Sequence, residues 1–142
     1  MKKKEKKLSI IIPCFNEKDS IHGVITFTIP FFDTNGIPLE VLVIDDNSTD
    51  GTSTIVQELA AADARIKLFS RTKEKGMGSA LFSGFQKATG DIIIPLMADG
   101  SDTVQDILML YNTMNEKDYD IVFTNRFSSP EIQSDYPFFK KI

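Results

Sequence analysis

Short apolar runs alternate along the chain with segments in which apolar residues recur every three or four positions. The run Val41–Ile44 is β-branched at three of its four positions, which predicts a strand buried on both faces. The segment after it places Ile55, Val56 and Leu59 at helical spacing. The same alternation predicts further strands at residues 8–12, 65–69, 91–96 and 120–124, with a helix between each strand and the next.

This repetition of strand and helix is typical of a parallel sheet with helices on both faces. We therefore expect a three-layer α/β/α fold with a mostly parallel, Rossmann-like sheet of about five strands. The polar loops after the strands then lie at one edge of the sheet. If the strand order reverses between the first and the fourth strand, the loops after the first, second and fourth strands flank one crevice, where such sheets bind ligands.

Length and charge narrow the possible functions. The chain has 142 residues and a net charge of −4, which fits one domain with no general attraction to nucleic acid. Residues 1–7 predict a solvated basic tail, with weak attraction to a membrane surface as the alternative. Too few apolar residues follow before Pro13 for a signal peptide or a membrane span. The single cysteine, Cys14, excludes an internal disulfide and predicts a cytoplasmic location.

Acidic residues follow two of the predicted strands. Asp45 and Asp46 come directly after the second strand, and Asp99 follows the fourth. Three carboxylates facing one crevice would repel one another unless a divalent cation or a ligand rich in donors lies between them, and Mg²⁺ and Mn²⁺ prefer such oxygens. Cationic side chains that could bind phosphate oxygens lie in nearby loops: Arg71, Lys73, Lys75 and Arg126.

Several of these features also have ordinary structural explanations. Asp45 and Asp46 could be ordinary loop acids, one of which caps the next helix. We instead assign the cap of that helix to Asp50. Asp102 is expected to cap the last helix. The segment 75–79 could bind an anion at a helix start, but a plain helix start is the simpler interpretation. His22 has no visible partner, and Cys14 has no histidine base near it in sequence, so neither is expected to be catalytic.

Four segments together resemble the family 2 glycosyltransferases, which have the GT-A fold, and in particular the branch of dolichol- or polyprenyl-phosphate sugar synthases. The segments are IIPCFNE (11–17), EVLVIDDNSTDGT (40–52), GMGSALFSGFQKATGDIII (76–94) and DIVFTNRF (120–127). The resemblance implies binding of a UDP- or GDP-linked sugar. It implies donor-site roles for Pro13, Phe15, Glu17, Asp45, Asp46 and Arg126. Lys75 and Gly76 join the predicted donor site because of the charge and the helix start described above.

The loop MADGSD departs from the metal motif of this branch. Met97 stands in place of the first acid, and Asp102 in place of a histidine. Asp99 matches the second acid, so the resemblance implies Asp99 as the ligand of Mg²⁺ or Mn²⁺, with Asp102 supplying the missing ligand.

The resemblance also divides the chain. It implies a basic tail at 1–7, a nucleotide-sugar-binding GT-A domain at 8–127 and the start of an acceptor region at 128–142. The acceptor, such as a polyprenyl phosphate, and the catalytic residues on its side are expected to belong to sequence beyond Ile142. We therefore expect donor binding without competent transfer by these residues alone, and contact with the inner face of a membrane in the full-length protein.

Two other classes of protein remain as alternatives. Receiver domains of signalling proteins are doubly wound units of similar length, but their acid pair follows the first strand, and here it follows the second. Labelling by acetyl phosphate would favour that alternative. A sugar nucleotidyltransferase would instead release pyrophosphate from a nucleoside triphosphate and a sugar phosphate.

Overall fold

Strands and helices alternate along the residues that the structure, a computed structural model, describes: 5–73, 75–117 and 119–124. In chain order these elements are β1 (Leu8–Cys14), α1 (Ile21–Thr34), β2 (Leu39–Asp45), α2 (Thr52–Ala62), β3 (Ile66–Ser70), α3 (Met77–Lys87), β4 (Ile92–Pro95) and α4 (Val104–Glu116). Among them, no helix is both long enough and apolar enough to cross a membrane.

The four strands of this part of the chain form one parallel sheet in the order β3-β2-β1-β4. Leu8 of β1 pairs with Leu39 of β2 on one side and with Ile92 of β4 on the other. The chain moves in one direction from β1 to β3 and then crosses to the opposite side of β1. The strand order therefore reverses between β1 and β4, as the sequence led us to expect.

Helices cover both faces of the sheet, which confirms the three-layer α/β/α fold. On one face, α1, α2 and α4 pack on alternate strand residues such as Ile10 and Val43. On the other face, α3 packs on Ile11, Leu42 and Ile44. The approach of α3 is close: a Cβ atom added at Gly84 would lie 2.5 Å from Cγ2 of Ile11.

The strand expected at 120–124 is not formed in the structure. Residues 121–124 are not part of the sheet, and the side chains of Ile121 and Phe123 are 67% and 86% exposed. An apolar run becomes a strand only when its N–H and C=O groups pair with a neighbour. The described part of the sheet therefore has four strands, one fewer than the apolar pattern suggests.

The last residues of the basic tail form hydrogen bonds with the folded part of the chain, although Glu5 is exposed and Lys6 and Lys7 are only half-buried. The N–H group of Lys7 donates to Asp91 Oδ2 at 2.8 Å, and the hydroxyl of Tyr111 donates to the carbonyl oxygen of Lys6 at 2.8 Å. Residues 5–7 are thus attached to the start of β4 and to α4. Residues 1–4 lie outside the described residues.

The cap expected from Asp102 is also wrong, because Thr103 has this position. Thr103 has an extended backbone, and its hydroxyl oxygen accepts from the N–H group of Asp106 at 3.2 Å. The same hydroxyl donates to Asp106 Oδ2 at 2.7 Å. The first bond is that of an N-cap residue to the third helical residue. The second bond joins the two side chains and does not return to the backbone N–H group of Thr103, as it would in a capping box.

Candidate functional site

A cavity of about 310 Å³ lies at the carboxyl ends of the strands, on the side where the strand order reverses. Its wall comes from the end of β1 and the loop after it, the residue that follows β2, the loop before α3 with the start of that helix, and the loop after β4. The lining residues are Pro13, Cys14, Phe15, Glu17, Asp46, Lys75, Gly76, Met77, Ala80, Met97, Ala98 and Asp99. Parallel α/β sheets bind ligands at this position.

Hydrogen bonds join the loop after β1 to the loop after β2. The N–H group of Asn16 donates to Ser48 Oγ at 2.8 Å, and Asn16 Oδ1 accepts from the N–H group of Thr49 at 2.9 Å. The N–H group of Glu17 donates to Thr52 Oγ1 at 2.9 Å. The backbone of Asn16 has φ 55°, a left-handed value that asparagine tolerates better than most residues. These bonds fix the backbone that carries the side chains of Phe15 and Glu17.

Asp45 is buried behind the cavity wall rather than on it. Its side chain is 1% exposed, and its carboxylate accepts from the hydroxyls of Ser48 and Ser53, the latter at 2.6 Å. It also accepts from the N–H group of Ser48 at 3.2 Å. Asp45 therefore braces the turn into α2 and is not among the residues that line the cavity.

Asp46 is on the wall and holds the loop between β3 and α3. Its Oδ2 atom accepts from the N–H group of Gly76 at 2.7 Å. Its Oδ1 atom lies 3.3 Å from Nη1 of Arg71 and accepts no hydrogen bond within the described residues. Gly76 has φ 127° and ψ 154°, a conformation restricted to glycine. The Asp46 carboxylate thereby fixes Gly76 and its neighbours along one side of the cavity.

Lys75 and Phe15 approach each other from opposite loops. The ammonium nitrogen of Lys75 lies 5.6 Å from the centre of the Phe15 ring, within the range of a cation–π contact. Phe15 remains 51% exposed. The pair offers a cation for phosphate oxygens and an aromatic face for an apolar or planar group.

Asp99 is the candidate metal ligand that reaches the cavity. It lines the wall with Met97 and Ala98, whereas Asp102 is not among the lining residues. Within the described residues, no three carboxylate, thiol or imidazole groups lie close enough to hold a metal by themselves. Mg²⁺ commonly binds one or two carboxylates together with substrate phosphates and water. The donors present fit a cation that is shared with a phosphate ligand, not one held in a cage of protein groups.

The thiol of Cys14 is on the wall but is unsuited to nucleophilic chemistry. Burial and the nearby carboxylate of Asp45 raise the pKa of Cys14 well above its usual range. Because the thiolate is the reactive form, the thiol stays inert. His22 lies on the exposed side of α1, outside the cavity wall.

The structure thus brings together most of the residues selected from the sequence: Pro13, Phe15, Glu17, Asp46, Lys75, Gly76 and Asp99. Asp45 and Asp102 adjoin the wall without lining the cavity, and Arg126 lies outside the described residues. Met77 and Ala80 are wall residues that sequence reasoning missed. They follow Gly76 by one and four positions, so the helical period that starts at Gly76 could have identified them.

Residues 9–140 match the family model described as Glycosyl transferase family 2. The chain belongs to glycosyl transferase family 2. This membership agrees with the resemblance of the four segments, and it decides against the receiver-domain and nucleotidyltransferase alternatives. It also agrees with the position of the cavity.

Two curated relatives of this family 2 chain are named for dolichol phosphate and undecaprenyl phosphate. The chain is 32% identical over 136 residues to dolichol-phosphate mannosyltransferase of Pyrococcus furiosus, covering 96% of this chain and 38% of the relative. It is 35% identical over 122 residues to undecaprenyl-phosphate 4-deoxy-4-formamido-L-arabinose transferase of Klebsiella pneumoniae, covering 85% of this chain and 37% of that protein. The chain therefore spans little more than a third of the length of these relatives.

One solved structure that is similar to this chain contains a nucleotide sugar and a metal ion. It is the mannosyltransferase PcManGT of Pyrobaculum calidifontis, in complex with GDP-Man and Mn²⁺. The two proteins are 29% identical with a TM-score of 0.55, over 67% of this chain and 28% of that one. The likeness confirms the GT-A fold for this family 2 chain.

Proposed function

We propose that this chain is the donor-binding part of a glycosyltransferase and that its cavity binds a nucleoside diphosphate sugar together with Mg²⁺ or Mn²⁺. The observation that carries the proposal is the cavity wall itself. It combines the carboxylates of Glu17, Asp46 and Asp99 with the ammonium group of Lys75 at the point where the strand order reverses.

The wall has two chemically different sides, which fit the two parts of such a donor. Pro13 and Phe15 supply apolar and aromatic surface for the nucleoside, with Glu17 and Asp46 as hydrogen-bond acceptors. Lys75 and the start of α3 supply positive charge for the diphosphate. Arg126 is assigned to the same phosphates by the resemblance alone.

The reaction proposed for the full-length protein is displacement at the anomeric carbon by an oxygen of the acceptor. The leaving group is the nucleoside diphosphate, and Lys75 stabilises the negative charge that develops on it. A bound divalent cation supplies further positive charge at the same oxygens. A phosphate acceptor is already anionic and needs no general base.

We assign a polyprenyl phosphate as the acceptor and a membrane surface as the place of transfer. The support comes from the two curated relatives, which are named for dolichol phosphate and undecaprenyl phosphate. The cytoplasmic face is favoured because Cys14 is a free thiol, as is usual in reducing compartments. GDP is favoured as the nucleotide because the mannosyltransferase of similar fold binds GDP-Man, and UDP is the alternative.

Calorimetry with GDP and UDP in the presence of Mn²⁺ tests the donor site directly. We expect one of the two to bind, and we expect Lys75→Ala to weaken it by about tenfold through loss of a charged contact to phosphate. Lys18→Ala is the matched control, because Lys18 is exposed and outside the cavity wall. Absence of heat with either nucleotide, from protein with a normal unfolding transition, would overturn the proposal.

A further inference from the structure

Three consecutive backbone N–H groups in the loop after β1 are bound by side chains of the loop between β2 and α2. The groups of Asn16, Glu17 and Lys18 donate in turn to Ser48 Oγ at 2.8 Å, Thr52 Oγ1 at 2.9 Å and Asp50 Oδ2 at 3.1 Å. The three acceptors lie outside the cavity wall, whereas Glu17 lines it. Side chains that do not reach the cavity therefore hold a residue of its wall.

Thr52, the first residue of α2, connects two of these bonds. Its hydroxyl accepts from the N–H group of Glu17 and donates to Asp50 Oδ1 at 2.6 Å. The N–H group of Thr52 donates to the same oxygen of Asp50 at 3.0 Å. The carboxylate of Asp50 thus binds both the start of α2 and the loop after β1. Because Thr52 is fully buried, loss of its hydroxyl leaves the N–H group of Glu17 without an acceptor.

The backbone of Glu17 is held on its other side by α1. Its carbonyl oxygen accepts from the N–H group of Ile21 at 2.9 Å, and its Oε2 atom accepts from Ser20 Oγ at 3.0 Å. With Thr52 on one side and α1 on the other, rotation of this backbone breaks at least one hydrogen bond. The directions of the Phe15 and Glu17 side chains therefore depend on the bond to Thr52.

We propose that Thr52 and Asp50 are positioning residues for the nucleotide, which act from outside the cavity wall by holding Phe15 and Glu17 in the orientation that the nucleoside requires. This inference rests on the proposed function. A wall that is fixed before the ligand arrives loses less conformational entropy on binding than a wall that is ordered by the ligand. Loss of the Thr52 hydroxyl therefore weakens nucleotide binding although the wall keeps all of its side chains.

Calorimetry with GDP and UDP in the presence of Mn²⁺ tests this role. Thr52→Val removes both bonds of the hydroxyl and should lower the nucleotide affinity by about tenfold, because two wall side chains must then be ordered on binding. Thr52→Ser keeps the hydroxyl and should stay within about twofold of the wild type.

Thr28→Val is the matched control for the loss of a buried hydroxyl. Thr28 is also buried, and its hydroxyl donates to the carbonyl oxygen of Val24 at 2.6 Å within α1. This variant should bind nucleotide as the wild type does. An equal loss of affinity in Thr28→Val and Thr52→Val would show a general effect of stability and would overturn the inference.

A double-mutant cycle with Phe15→Ala shows whether Thr52 acts through the wall. In the Phe15→Ala background, Thr52→Val has one wall side chain fewer to disturb, so its effect on nucleotide affinity should shrink from about tenfold to about threefold. The same tenfold loss in both backgrounds overturns the inference. Asp50→Asn, which keeps one acceptor oxygen, serves in the same cycle if Thr52→Val does not fold.

The proposed function and this inference fail in different ways. If neither GDP nor UDP binds to the wild type, the proposed function is overturned, and the inference with it. If a nucleotide binds equally well to the wild type and to Thr52→Val, the donor site stands and the inference alone is overturned.

Discussion

A buried acid lies near each end of strand β2, Glu40 at its amino end and Asp46 one residue past its carboxyl end, and the two acids have different surroundings. At the amino end, Glu40 is 2% exposed and accepts from Ser9 Oγ at 2.7 Å, from the N–H group of Thr89 at 2.7 Å and from Lys67 Nζ at 2.9 Å. Lys7 adds a second ammonium group at 3.3 Å. Both oxygens of Glu40 are fully used by the protein.

At the carboxyl end, the surroundings of Asp46 are less complete. One oxygen accepts from Gly76, and the other has the Arg71 ion pair but no hydrogen bond within the described residues. Asp46 also lines a cavity, and Glu40 does not. The comparison teaches that burial alone does not mark a functional acid in this fold. Incomplete hydrogen bonding next to a cavity separates the two cases.

The largest effect on stability is expected from removing Glu40, the acid at the amino end of β2. Glu40→Ala leaves the N–H group of Thr89 and the hydroxyl of Ser9 without their acceptor. It should lower the free energy of unfolding by about 3 kcal/mol, a figure reduced because Lys67 and Lys7 can reach water. Urea denaturation measures the loss, and the exposed Glu58→Ala serves as the control. A loss below about 1 kcal/mol would contradict the structural role assigned to Glu40.

The next effect concerns pH and the same carboxylate. Burial raises the pKa of Glu40, but the hydrogen bonds from Ser9, Thr89 and Lys67 outweigh it and hold the pKa well below the ordinary value of 4.5. The folded state therefore binds fewer protons than the unfolded state, so this contribution is present above pH 4.5 and is lost as the pH falls towards the lowered pKa. We expect a loss of about 2 kcal/mol on acidification. Glu40→Gln should remove most of this pH dependence. If the stability of that variant changed with pH as steeply as that of the wild type, Glu40 would not be the source of the pH dependence.

The smallest effect on stability is expected from replacing Asp46, near the carboxyl end of β2. This replacement should also lower the affinity for nucleotide. Asp46→Asn keeps an acceptor for Gly76 but removes the charge beside Arg71, so it should cost about 1 kcal/mol of stability. Nucleotide affinity should fall about tenfold, which corresponds to about 1.4 kcal/mol. Glu40→Gln should show the reverse pattern, with lower stability and unchanged affinity. If Asp46→Asn and Glu40→Gln changed stability and nucleotide affinity in the same way, the distinction between a binding acid and a structural acid would be contradicted.

The alternation of elements could be predicted because it depends on local periodicity. The run 41–44 is apolar at every position because both faces of β2 are covered, by α1 on one side and by α3 on the other. The place of Asp46 and Asp99 on one wall follows from the topology, because the carboxyl ends of parallel strands share an edge.

The partners of individual acids could not be predicted, because they come from distant parts of the chain. Glu40 looks like an ordinary strand start until Thr89 and Lys67 are brought beside it. Asp102 looks like a helix cap, but the cap is the next residue, Thr103, whose hydroxyl donates to Asp106. Sequence spacing could not show this, because both residues favour the same cap position.

Helix α3 is bound at its two ends by Asp46 and Glu40, the acids near the two ends of β2, and this arrangement constrains the length of the helix. The N–H group of Gly76, where the helix begins, is bound by Asp46, and the N–H group of Thr89, just past its end, is bound by Glu40. From Gly76 to Thr89 the backbone rises by roughly 20 Å at helical spacing, and from Glu40 to Asp46 it rises by roughly 20 Å at strand spacing. The two elements have matched lengths, so one residue inserted in α3 or deleted from it would detach one of its ends from the strand. Related sequences should therefore vary in length in the loops around this helix and not within it.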